Sequence, residues 1–112
     1  NNFLSLGTAT FVIETLKAAD KLGIDLKKLY DVAKLGSGNS GALNRIAEKA
    51  LNNDYKGYIF SVNNTLKDLT YINELLKDMP NAEKLSSVAK SFYEEAKAKG
   101  HGDLLISELI KK

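Results

Sequence analysis

Five side chains of different chemistry crowd the segment from residue 60 to residue 71: Phe60, Asn64, Lys67, Asp68 and Tyr71. If Phe60 to Asp78 forms one α-helix, a turn of 100° per residue sets Phe60 and Lys67 within about 20° of each other and roughly 10 Å apart along the axis. Asn64, Asp68 and Tyr71 adjoin that face. A ring, an ammonium, a carboxylate, an amide and a phenol then gather beside the apolar stripe of Val62, Leu66, Leu69, Ile72 and Leu76, whose spacing marks the core side of the helix. Such a strip suits a polar ligand.

Other motifs match on paper and fail on context. Gly36 to Gly41 spells G-x-G-x-x-G, yet a dinucleotide loop of that kind follows a buried strand, and here a helix comes first. Its backbone N–H groups, at the start of the next helix, can still receive an anionic group. Tyr93 and Lys97 copy a Y-x-x-x-K spacing inside an ordinary helix. Asn63-Asn64-Thr65 is a glycosylation sequon only in a secreted protein. His101, between two glycines, has no neighbour in sequence that would orient it as a base.

The elements that must position these groups are all helical. Phe3 to Leu22 carries Phe3, Leu4, Leu6, Phe11, Val12, Ile13, Leu16 and Leu22 on nearly every side, which predicts a long, buried first helix. Gly23 ends it and Asp25 caps a second, Leu26 to Leu35, packed through Leu26, Leu29, Tyr30 and Ala33. Ser40 caps a third through Leu43, Ile46, Ala47, Ala50 and Leu51, and Asn52 to Tyr58 is polar connection. Pro80 breaks the fourth. Asn81 caps a fifth, with a core face of Leu85, Val88, Ala89, Phe92 and Ala96, stopped at Gly100-His101-Gly102, and Asp103 starts the last. The expectation is a single all-α domain of about six helices.

Composition narrows the chemistry. The 112 residues carry 16 Lys plus Arg against 14 Asp plus Glu, a net charge of +2 that does not predict a nucleic-acid partner. Arg45 is the only arginine, so paired guanidinium clamps are missing. Without cysteine and with a single histidine, no thiolate metal site or paired-histidine site can form within the chain. No apolar run approaches a membrane span, and the sequence reads as a soluble, cytoplasmic protein. Its start at Asn1-Asn2-Phe3 reads as part of a longer polypeptide.

Taken in order, Asn1-Asn2, Glu14, Lys21-Leu22-Gly23-Ile24-Asp25, Gly36-Ser37-Gly38-Asn39-Ser40, Lys67-Asp68-Leu69 and Gly100-His101-Gly102-Asp103 resemble the C-terminal domain of the β-hydroxyacid dehydrogenases. That family includes 3-hydroxyisobutyrate dehydrogenase and tartronate semialdehyde reductase, and its helical domain is like that of 6-phosphogluconate dehydrogenase. The resemblance covers essentially the whole chain. It implies an N-terminal Rossmann domain as partner, NAD or NADP as cofactor, and hydride transfer to or from a small hydroxy acid or its semialdehyde. It places the catalytic lysine three residues before the Asn-Asn pair, upstream of Asn1. It also implies that Asn2 lies beside that lysine and the substrate, that Lys67 and Phe60 meet the cofactor, and that Asp68 and Ser40 meet the substrate. After Asp103 this chain has Leu104-Leu105-Ile106-Ser107, where relatives place a second acid. A homo-oligomer, and an isolated domain without activity, follow as expectations. The competing reading is a non-enzymatic helical module for protein interaction or dimerisation.

Overall fold

The computed structural model describes residues 1–112 as α1 Asn2–Lys21, α2 Leu26–Ala33, α3 Gly41–Ala50, α4 Val62–Leu75 and α5 Pro80–Ala98, followed by a 3-10 helix, Ile106–Lys111. The fold is all-α. Its spine is α1, where Leu6, Ala9, Val12, Ile13 and Leu16 recur at helical spacing and meet side chains from every other element. α1 ends as local chemistry dictates: Gly23, at φ 73°, lets its own N–H reach Asp20 O and that of Ile24 reach Ala19 O. Burial is one-sided, however. Leu4, Phe11 and Leu22 are 73%, 75% and 75% exposed, because the shorter elements cover only one side of a 20-residue rod.

Side-chain caps start the next two helices. Asp25 Oδ1 accepts from Lys27 N at 2.9 Å, and Ser40 Oγ accepts from Leu43 N at 3.0 Å. Tyr30 then ties α2 to α3 by donating to Asn44 Oδ1 at 2.8 Å.

Three expectations fail, each through a contact distant in sequence. Phe60 is not helical. Ser61 Oγ caps α4 by accepting from Asn64 N at 3.0 Å, while Phe60 O accepts from Ile106 N and Leu104 O from Val62 N, an antiparallel bridge centred on Ser61 and Leu105. The same bridge draws residues 103–105 out of the last helix, which is consequently a short 3-10 turn. The cap expected of Asn81 also fails: Met79 precedes α5 without a side-chain cap, Asn81 lies inside the helix, and Pro80 takes the first turn, a position that needs no N–H donor. The core face of α5 is turned relative to the expected one: Ser86, Ala89, Tyr93 and Ala96 are buried, whereas Leu85 and Val88 face solvent. Asn73 of α4 explains the rotation, since its Nδ2 lies 2.9 Å from both Ser86 Oγ and Ser87 Oγ.

Candidate functional site

Four stretches of the sequence line one open recess of about 460 Å³: Asn2, Ser5 and Leu6 from the first turns of α1, Arg45 from α3, Gly57 to Phe60 from the strap before α4, and Asp68 from α4. Gly57 makes the meeting possible. A Cβ there would lie 2.3 Å from the Arg45 carbonyl oxygen, so only glycine lets the strap run this close to α3. The strap then carries Tyr58 under Arg45, whose guanidinium carbon is 5.9 Å from the ring centre. It also delivers Phe60, half-buried against the core.

Across the recess, Asn2 Nδ2 donates to Asp68 Oδ2 at 3.0 Å. This bond joins α1 to α4 and turns the remaining carboxylate and amide oxygens into acceptors for hydroxyl or ammonium groups. Neither Arg45 nor Asp68 belongs to an ion pair. The recess therefore offers a cation, an anion, an amide and two aromatic rings in one place, an arrangement that can orient a small polar molecule at both ends.

Of the residues picked from sequence, Asn2, Phe60 and Asp68 come together here. Phe60 arrives from the strap, so the shared helical face with Lys67 does not exist. Lys67 is exposed and is not among the lining residues; it sits one position, about 100° of helix, from Asp68. Asn64 and Tyr71 are exposed as well. Ser40 lies apart from the recess and uses its hydroxyl oxygen to cap α3.

The remaining motifs have structural occupations. Tyr93 is buried, and its hydroxyl donates to Thr10 Oγ at 2.6 Å, which donates to Leu6 O at 2.7 Å. Burial pushes the phenol up to about 12, the reverse of what a general base needs. Asn63 holds the Gly102-Asp103 turn through its side chain to Asp103 Oδ1 at 3.2 Å. His101 has no side-chain hydrogen bond, and its backbone N–H reaches Ala96 O to close α5.

Sequence reasoning missed Ser5, Arg45, Gly57 and Tyr58. Ser5 stands one helical turn after Asn2 and was within reach of periodicity. Arg45 and Tyr58 carry no local signal, because their meeting depends on the close pass at Gly57.

Residues 1–112 match the family model described as the NAD-binding domain of NADP-dependent 3-hydroxyisobutyrate dehydrogenase. Over 98 residues the chain is 32% identical to an L-threonate dehydrogenase of Haemophilus influenzae, covering 88% of this chain and 32% of that protein. A crystal structure of a 3-hydroxyisobutyrate dehydrogenase from Salmonella typhimurium superposes with a TM-score of 0.84 at 25% identity, over 98% of this chain and 38% of that one. The chain thus spans about a third of the length of these relatives.

Proposed function

Because the chain belongs to the 3-hydroxyisobutyrate dehydrogenase family, we propose that residues 1–112 are the C-terminal helical domain of an NAD(P)-dependent oxidoreductase acting on a small 3-hydroxy acid or its semialdehyde. An N-terminal Rossmann domain of the same protein would supply the other wall of the cleft. The observation that carries this reading is the recess itself, which gathers Asn2, Phe60 and Asp68 from separate elements at one open face.

NAD or NADP is the cofactor of the family, and the residues present fit one end of it. An aromatic wall at Phe60 and the Asn2 amide suit a carboxamide-bearing ring. The pyrophosphate has no cradle here, since the glycine-rich loop joins two helices rather than a strand and a helix. When bound, the nicotinamide supplies the hydride acceptor or donor.

The chain's own groups then have positioning work. Asn2, held by Asp68, stands one helical turn from the position of the proposed upstream lysine, on the same face, and fixes the orientation of that ammonium and of the substrate oxygen. The lysine exchanges the proton with that oxygen. Lys67, next to Asp68 on α4, adds a positive charge beside the cleft. Phe60 excludes water from one side. Asp68 meets the substrate.

In the full-length protein, Lys67→Ala is expected to lower kcat/KM by more than about tenfold with the fold unchanged by circular dichroism. The 112-residue chain alone is expected to show no turnover with any hydroxy acid and NAD(P). Unaltered kinetics would remove Lys67 from the site, and turnover by the chain alone would refute a cleft divided between two domains.

A further inference from the structure

Arg45 is the chain's only guanidinium, and it enters no ion pair and no side-chain hydrogen bond. It lies at the recess shared by Asn2 and Asp68. Most arginines this free are mobile and solvated, but two features hold this one. The Tyr58 ring lies 5.9 Å from the guanidinium carbon, and the strap that carries Tyr58 is fixed against the Arg45 backbone by the Gly57 close pass. The strap is also pinned on its other side, to Ser107 of the 3-10 helix. Tyr58 N donates to Ser107 Oγ at 3.2 Å, and that hydroxyl donates to Tyr55 O at 2.6 Å. The planar fork is therefore presented at the recess with its donors unspent, the arrangement that favours a planar, two-oxygen acceptor.

Opposite charge and hydrogen-bonding groups complete the pattern. Asp68 and Asn2 offer acceptors and an amide, which suit the alcohol groups of a ligand. We propose that Arg45 receives the carboxylate of the substrate, with Asp68 and Asn2 taking its hydroxyl groups. The inference rests on the dehydrogenase reading above and assigns the residue that holds the acid end of that substrate. Arg45 acts here as a binding and specificity residue; the chemistry falls to other groups.

The test compares wild type, Arg45→Lys and Arg45→Met in the full-length protein, with threonate as the acid probe and threitol, the uncharged polyol, as its control. The expected result is a KM for threonate raised about tenfold or more in Arg45→Met and less in Arg45→Lys, with the KM for NAD(P) unchanged and the response to threitol unaffected. Calorimetric titration of threonate into the same three proteins gives a second readout that needs no turnover, and the same ranking is expected. A loss confined to the KM for NAD(P) would assign the guanidinium to a cofactor phosphate and overturn the proposal. Equal losses for acid and polyol, or no loss, would overturn it as well. Wild-type protein that binds threonate through Arg45 but transfers no hydride would sink the dehydrogenase reading and leave the carboxylate assignment standing.

Discussion

Thr65 is fully buried at the start of α4, and its hydroxyl has no hydrogen-bond partner. A desolvated hydroxyl without a partner costs stability, whereas a methyl group of the same shape does not. Thr65→Val is therefore expected to raise unfolding stability by about 1 kcal/mol, seen as a higher Tm in thermal denaturation. A lower Tm would mean that the hydroxyl is satisfied in solution. The neighbouring Asn63 is only half satisfied: its Nδ2 donates to Asp103 Oδ1, while its Oδ1, also buried, has no partner. At this scale the sequence was readable at most residues that act on their own turn, Asn81, which does not cap α5, being the exception. Asp25 and Ser40 cap the helices expected of them, and Gly23 and Gly100 adopt positive φ where the chain must leave a helix. Phe60 and Arg45 were not readable in this way, because Phe60 answers to Ile106 and Arg45 to Gly57.

Among elements, the strap from Gly57 to Phe60 decides whether there is a recess at all. Gly57→Ala would drive a methyl group into the Arg45 carbonyl oxygen, and backbone cannot yield as a flexible side chain does. The expected cost is about 1–3 kcal/mol, together with loss of threonate binding in the full-length protein as Tyr58 and Phe60 move off. Calorimetric titration beside urea denaturation checks both. The α4–α5 pair depends on a different link. Hydrogen bonds from Ser87 and then Asn73 hold the Glu83 carboxyl below the usual carboxylate range. A carboxyl whose folded pKa is depressed contributes stability that is present above its unfolded pKa and fades as pH falls through the folded value. Stability should therefore decline from about pH 4.5 downward, and Glu83→Gln should flatten that decline relative to wild type in urea titrations at stepped pH. An unchanged acid limb would remove Glu83 from the link. This same link turned the core face of α5 away from Leu85 and Val88. Apolar periodicity could not reveal it, since the link is polar: Ser86 is buried and held by the half-buried Asn73.

At the scale of the whole molecule, the exposed side of α1 is the largest departure from a self-contained domain. Leu4, Phe11 and Leu22 fall within about 20° of one another around the helix axis, and all three are about three-quarters exposed. Apolar residues aligned along a 20-residue helix mark a surface that another body covers. The sequence predicted a first helix buried on nearly every side and did not show which face would stay open, since that is set by where α3, α4 and α5 dock. The homo-oligomer expected from the sequence would make a second copy of the full-length protein the covering body. Phe11→Asp should then lower the mass measured by light scattering to that of one subunit, because a carboxylate in the centre of an apolar interface loses its hydration without gaining a partner. The helical domain itself should keep its stability, as Phe11 contributes nothing to the core formed by Leu6, Ala9 and Ile13. If the Rossmann domain covers the stripe instead, the mass will stay the same and the loss will appear as a lower Tm of the full-length protein. Scattering and calorimetry on one variant thus separate association between copies from packing within one.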